Sequence, residues 1–290
     1  YDLDNIKNSL IWTTVQKFDG LREFFIPEKS FMGQFYKKFI KSLGNFFNSG
    51  ILNHTSEKNY NMSVINTKFN KLDIEKNLEN FDYKPKISII MPVYNVDSKW
   101  LNLAINSVIN QFYDNWELCI ADDASVNEGT LDYLKNLDDD RIKIKFLKNN
   151  LGISGASNEA SRLATGDYIA LLDHDDTLSP DALYEVVKSI NKLDPDLIYS
   201  DEDKLTLQGF YVEPFYKPDF SMERFYSSNY LCHLSVFRKS LFDNVGGFRK
   251  AFDGSQDYDL LLRSAEKTSK IHHISKVLYH WRKIPGSCSV

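Results

Sequence analysis

Asp173, His174, Asp175 and Asp176 follow directly on an apolar run that ends at Leu172. Three carboxylates in four residues are chemically demanding. Unit charges ~4 Å apart repel by about 4 kcal/mol at an effective dielectric near 20, so solvent, protonation or a cation must offset them. Asp173, Asp175 and Asp176 carry hard oxygens suited to Mg2+ or Mn2+, ions that keep open positions for water and phosphate. A solvated acidic loop, eased by neighbouring helix N-termini, is the plain alternative. Asp122 and Asp123 close another apolar run. One of them could accept from a pyrimidine N–H or from ribose hydroxyls, or the pair could cap the helix after Asn127. In "PVYN" (92–95) Tyr94 stands beside a turn where a flat base could stack, although Pro and Asn are also ordinary turn residues.

The elements that must hold these groups are legible as alternation. Ile87 to Met91, Leu118 to Ala121, Ile142 to Leu147, Tyr168 to Leu172 and Leu197 to Tyr199 are short apolar strand candidates. Segments near 98–111, 128–136, 153–164 and 180–192 have helical periodicity, the last with Ser179 as N-cap and Pro180 at its first position. This rhythm predicts a parallel sheet covered on both faces, with ligands at the carboxyl ends of the strands. Those ends read "MPVYN", "ADDAS", "DHDD" and "SDED" (200–203), and three of the four are acidic. Neither G-x-G-x-x-G nor a P-loop pattern occurs, which excludes a Rossmann dehydrogenase and a P-loop enzyme.

Residues 1–85 have a different texture, rich in Asn, Lys and Phe, and are read as a helical N-terminal extension ending at Pro85. Phe31, Phe35 and Phe39, with Lys37, Lys38 and Lys41, make an amphipathic basic helix. It is expected to pack on the main domain or a partner, with peripheral membrane contact as the alternative. "NSG" (48–50) reads as a turn, and the polar stretch 53–63 as a loop before a second helix.

Thirty-five basic and forty acidic residues give a net charge of -5, which implies no polyanion-binding surface and excludes nucleic acid as the expected partner. Cys119, Cys232 and Cys288 show no metal-finger spacing and are read as reduced thiols in a cytoplasmic protein, the basic helix being able to reach the inner face of a membrane. No apolar run approaches the roughly 18 residues of a spanning helix, and no signal peptide is visible. The chain begins on Tyr1, as a piece of a longer protein would, and "IPGS" (284–287) is expected near the end of the main domain.

Together the motifs are more specific than their parts. "ISIIMPVYN" (87–95), "WELCIADDAS" (116–125), "NNLGISGASNEASRLATGDYIALLDHDD" (149–176), "VGGF" (245–248), "GSQDYDLLLR" (254–263) and "LYHWR" (278–282) follow one another along the chain. In this order and spacing, residues 86–290 resemble family 2 of the glycosyltransferases, inverting enzymes of the GT-A fold. "SDEDK" (200–204) and "IPGS" bring the chain nearest to bacterial surface-glycan and protein-glycosylating members. The fold implied is α/β, a Rossmann-like, mostly parallel sheet flanked by helices, with a nucleotide-sugar half at 86–176 and an acceptor half at 177–290.

The resemblance assigns roles. Asp123 would hold the uracil or thymine edge, with Tyr94 and the Pro92 and Val93 backbone beside the base; Asn149 joins the donor-binding set. Asp173 would face the ribose, and Asp175 would bind Mn2+ or Mg2+ bridging the diphosphate. His280 would complete the metal shell, the plain alternative being a satisfied core histidine on a strand; Arg282 would reach the departing diphosphate, and Asp176 would be structural. Asp257 falls on the general base that takes the acceptor hydroxyl proton, the plain alternative being an acid favoured by a helix N-terminus. Glu202, Asp203, Asn229 and His233 are acceptor-side candidates, each equally readable as a structural hydrogen-bonding residue.

The activity implied is metal-dependent transfer, with inversion, from a UDP-N-acetylhexosamine or UDP-hexose, and next dTDP-rhamnose, to a glycan or protein hydroxyl. Ser157 and Gln256 depart from the family's habits, an Arg and an acid or Gly respectively, which leaves the choice of sugar open. A non-catalytic nucleotide-sugar-binding module is the competing reading. A haloacid-dehalogenase-like phosphatase, in which "DHDDT" would supply the nucleophile Asp173 and the acid Asp175, is the third.

Overall fold

The computed structural model describes residues 56–284. Residues Tyr60–Val290 form one compact unit; of the unit Tyr1–Asn59 only the helical residues 56–59 are described. The basic aromatic helix, the turn at 48–50, Cys288 and positions 285–287 lie outside the described residues. The expected loop at 53–63 is helical from 56 onward, through residue 65.

Helix α1 (Lys71–Glu79) precedes four parallel strands, β1 (Ile87–Val93), β2 (Trp116–Asp122), β3 (Ile142–Phe146) and β4 (Tyr168–Leu171). Between them run α2 (Ser98–Ile109), α3 (Glu128–Lys135) and α4 (Ile153–Ser161). Then follow β5 (Thr177–Leu178), α5 (Ala182–Leu193), β6 (Leu197–Leu205), β7 (Tyr211–Phe215), α6 (Met222–Phe225) and β8 (Ser235–Arg238). The last elements are α7 (Lys239–Val245), α8 (Gln256–Ala265) and β9 (Ile271–Arg282).

The strands form one sheet in the order β3-β2-β1-β4-β8-β6-β9-β5, with β7 on β6. Because β8 is antiparallel to both β4 and β6, and β9 is parallel to β6, the strands β1 to β4, β6 and β9 all point the same way. Helices cover both faces, so β1 and β2 are buried almost throughout and read as unbroken apolar runs. One core layer joins Leu101, Ile105, Leu183 and Val187 to the sheet; the other joins Ala156, Ala160, Leu260 and Leu261 to its opposite face. Full burial of each such Leu or Ile stabilises the fold by about 1.5–3 kcal/mol.

The structure differs from the sequence reading at three further places. Helix α5 starts at Ala182 with Asp181 as its cap residue, and the Ser179 hydroxyl donates to the Asp181 carboxylate (2.6 Å) instead of capping the helix. "SDED" lies inside β6 rather than beyond its end, because each acid there has a partner in the interior. Asp201 meets His273 (2.8 Å), Glu202 pairs with Lys217 (2.9 Å), and Asp203 accepts from Tyr60 (2.6 Å). The compact unit also begins upstream of the boundary expected at 85: Tyr211 N–H donates to Asn61 (2.9 Å), Asn77 to Tyr184 (3.0 Å), and Phe69 packs edge-on to Phe112.

At the amino end of the parallel strands sits a fully partnered acid. Glu117 is 1% exposed and accepts from Ser88 (2.6 Å), Lys143 (2.7 Å) and the Thr165 N–H, with Lys86 Nζ at 2.9 Å. Burial opposes its charge, but these donors outweigh it and hold the carboxyl well below the usual range. Among the described residues no helix is long and apolar enough to cross a membrane, and Cys119 and Cys232 are free thiols.

Candidate active site

An open cavity of about 1080 Å3 lies at the carboxyl ends of β1, β2 and β4. Pro92, Val93 and Tyr94 line it from the end of β1, and Asp123 from the end of β2. Asp173, His174 and Asp175 line it from the turn after β4, and Asp257 from the first turn of α8.

Side chains tie the loops together. Asn95 takes a left-handed conformation (φ 48°), which Asn tolerates better than most residues, and its Oδ1 accepts from the N–H groups of Val126 (2.8 Å) and Asn127 (3.0 Å). Tyr94 is thereby left half exposed on the rim, one face of its ring available to a planar ligand. Asp123, 3% exposed, accepts from the N–H groups of Leu151 (2.7 Å) and Gly152 (3.0 Å) and so shapes the entry to α4. Gly152 has φ 79°, and a Cβ there would sit 2.7 Å from the Asp253 carboxylate, so the position suits glycine alone. Asn149 is exposed and does not line the cavity; its neighbour Asn150 does, and donates to Asp123 O (3.3 Å).

The acidic turn is held from behind. Asp176 is fully buried, accepts from Tyr279 Oη (2.6 Å) and Arg282 N (2.7 Å), and does not line the cavity. The Asp173 N–H donates to Tyr279 Oη (3.3 Å), and His174 Nδ1 donates to Pro92 O (3.0 Å). Burial pushes the carboxyls of Asp173 and Asp176 above the usual range; the neighbouring charge of Asp175 adds to both, and that of Asp257 adds to Asp173.

Three expectations need correction. His280 is 5% exposed, does not line the cavity, and binds Asp203 through Nδ1 (2.6 Å) with its ring against Tyr211. Alternation along β9 explains this: Trp281 lines the cavity, so its neighbour His280 points to the other face of the strand. Arg282 is 2% exposed, its Nε donates to Asp175 O (2.7 Å) and its guanidinium lies over the Trp100 ring, so it braces the acidic turn. Asp203 is fully buried between Tyr60 and His280 and cannot meet an acceptor. His233 lines the cavity, stacked on Tyr279 at 4.6 Å.

Glu202, Asn229 and His233 do line the cavity, and Asn229 Nδ2 donates to Asp257 Oδ2 (3.0 Å). Ser157 and Gln256 line it as well. The sequence reading missed Trp100, Phe215 and Trp281 on its walls, and Lys217 buried beside it. Only Trp281 had a usable signal, the period-two alternation of "LYHWR". Asp173 and Asp175 fit a hard divalent cation, since two carboxylates at an open polar cavity leave positions for phosphate oxygens.

Comparison with known proteins bears on this arrangement. Residues 88–246 match the family described as Glycosyl transferase family 2. An uncharacterized protein, y4gI, of Sinorhizobium fredii is 47% identical over 71% of this chain and 23% of its own length. The O-antigen biosynthesis protein RfbC of Myxococcus xanthus is 37% identical over 69% of this chain and 16% of its own. The chain thus spans less than a quarter of either relative. An uncharacterized glycosyltransferase of Methanocaldococcus jannaschii is 31% identical, with 69% of this chain and 71% of that protein covered. Among solved structures, S. aureus TarS 1-349 in complex with UDP-GlcNAc superposes with a TM-score of 0.59 at 22% identity, over 70% of this chain and 60% of that one. The mannosyltransferase PcManGT from Pyrobaculum calidifontis, in complex with GDP-Man and Mn2+, gives 0.53 at 17%, over 79% and 66%. A mostly parallel sheet with its acidic cavity at the strand ends, matched over 88–246, makes this chain a member of glycosyl transferase family 2, an enzyme of the GT-A fold.

Proposed function

We propose that the chain transfers a hexose or N-acetylhexosamine from a UDP-sugar, or next a deoxysugar from dTDP-rhamnose, to a hydroxyl of a glycan or protein acceptor, with inversion. One observation carries the reading: Asp257, steadied by Asn229, shares a single cavity with Asp173 and Asp175. A binding module needs no such carboxylate across from the donor cluster.

The nucleotide half, 86–176, supplies Tyr94 as a stacking face for the base, Asp123 at the pyrimidine edge, and Asp173 on the ribose side. Asp123 would meet the base while holding the loop at Leu151 and Gly152. Asp175 would hold Mn2+ or Mg2+, which when bound offsets charge building on the diphosphate. The acceptor half, 177–290, supplies Asp257. The acceptor hydroxyl oxygen attacks the anomeric carbon from the face opposite the diphosphate, and Asp257 takes its proton. The bond to the diphosphate breaks, its electron pair leaves with the nucleoside diphosphate, and the new glycosidic bond has inverted configuration. TarS with UDP-GlcNAc supports a UDP donor, and RfbC supports a surface-glycan acceptor.

The test is nucleotide release from a panel of UDP-, dTDP- and GDP-sugars with Mn2+ and a glycan acceptor. Asp257→Asn is expected to lower turnover about 1000-fold with nucleotide affinity retained. Turnover indifferent to that substitution would overturn the base assignment.

A further inference from the structure

Lys217 lies beside the cavity with its side chain fully buried and takes no part in the chemistry above. Its Nζ donates to Glu202 Oε2 (2.9 Å), Cys232 O (2.8 Å) and His233 O (2.6 Å), which uses all three ammonium protons. The same Glu202 oxygen accepts from the His233 N–H. Lys217 and Glu202 therefore grip both backbone polar groups of one residue, His233. The Lys217 N–H is itself fixed by Asp201 (2.8 Å), so the grip is anchored to β6.

The gripped segment serves both ends of the cavity. Asn229 donates to the Asp257 carboxylate, and the Cys232 thiol closes back on Asn229 O (3.7 Å). His233 stacks on Tyr279, whose hydroxyl donates to Asp176 and accepts from the Asp173 N–H. A buried ammonium is costly unless paired and fully hydrogen-bonded. Here the ammonium has a carboxylate and two carbonyls as partners, so it holds all three groups in one geometry.

We propose that Lys217, paired with Glu202, is a positioning residue that sets the 229–233 segment so that Asp257 and the Asp173 cluster are aligned at the same time. Glu202 is thereby occupied by the clamp through Oε2. The inference rests on Asp257 being the base.

The test compares Lys217→Met, the charge-neutral double variant Lys217→Met with Glu202→Gln, and Asp257→Asn. Because the single variant strands the Glu202 charge and can fail to fold, the double variant carries the conclusion once circular dichroism shows it folded. The expected result is a fall in kcat of about 100-fold, the scale of a misplacement of about 1 Å, with the donor KM within about threefold of the parent. A folded double variant with kcat within threefold of the parent, or a donor KM that rises in step with the loss, overturns the clamp. If the clamp variant is active while Asp257→Asn is inactive, the clamp alone fails; if Asp257→Asn is active, the base assignment fails.

Discussion

Two acidic sites at opposite ends of the same sheet behave in opposite ways. Glu117, at the start of β2, is surrounded by Lys86, Lys143, Ser88 and the Thr165 N–H, and its carboxyl is held well below the usual range. Asp173 and Asp176, beyond the end of β4, are raised by burial first and then by the neighbouring charge of Asp175. The first site is complete, since every oxygen has a donor from the chain itself. At the second, Asp173 and Asp175 line an open cavity, where an external cation and diphosphate can reach them. Buried charge alone does not mark function; its access to an open cavity does.

Between these two sites, the larger expected effect comes from removing charge at the cavity. Asp173→Asn should cut transfer by about 100-fold or more while leaving the ligand-free protein no less stable than the parent at neutral pH, because it relieves burial and repulsion. Turnover and thermal unfolding of the same sample check this; a marked drop in melting temperature would erase the contrast with Glu117.

Glu117→Gln should do the reverse. Stranding two lysines is expected to cost about 2 kcal/mol, read as a fall in melting temperature of about 5 °C, with turnover per folded molecule unchanged. The pH dependence follows with opposite signs. A lowered acid stabilises above its ordinary value of 4.5, and that stability is lost as pH falls, so Glu117→Gln should flatten the acid limb of a stability profile. A raised acid binds its proton more firmly in the fold, so stability falls as pH rises above the ordinary 3.8, and Asp173→Asn should flatten that limb.

Much of this was legible in the sequence. The unbroken apolar runs of β1 and β2 reflect burial on both faces, and the rule that ligands sit at carboxyl ends led to Tyr94, Asp123, Asp173 and Asp175, all of which line the cavity. Asp176 also lies where the reading put it, behind the turn. The misplacements cluster in β6 and β9. There His280, Arg282 and Asp203 look like site residues by type, yet His280 and Asp203 pair with each other in the interior and Arg282 is buried against the Asp175 backbone and the Trp100 ring. Lys217 was invisible because nothing local distinguishes it; only the tertiary approach of 217 to 202 and 233 gives it a partner set.

The central claim is that the Asp173 and Asp175 end of the cavity is completed by a divalent cation and a pyrimidine diphosphate. Calorimetric titration of UDP, dTDP and GDP into the protein, with Mn2+ and with EDTA, tests it most directly. The account predicts that UDP binds more tightly than GDP, that EDTA weakens UDP by about tenfold or more, and that Asp175→Asn abolishes this metal dependence. UDP affinity that is the same with Mn2+ and EDTA, and unaffected by Asp175→Asn, would contradict it.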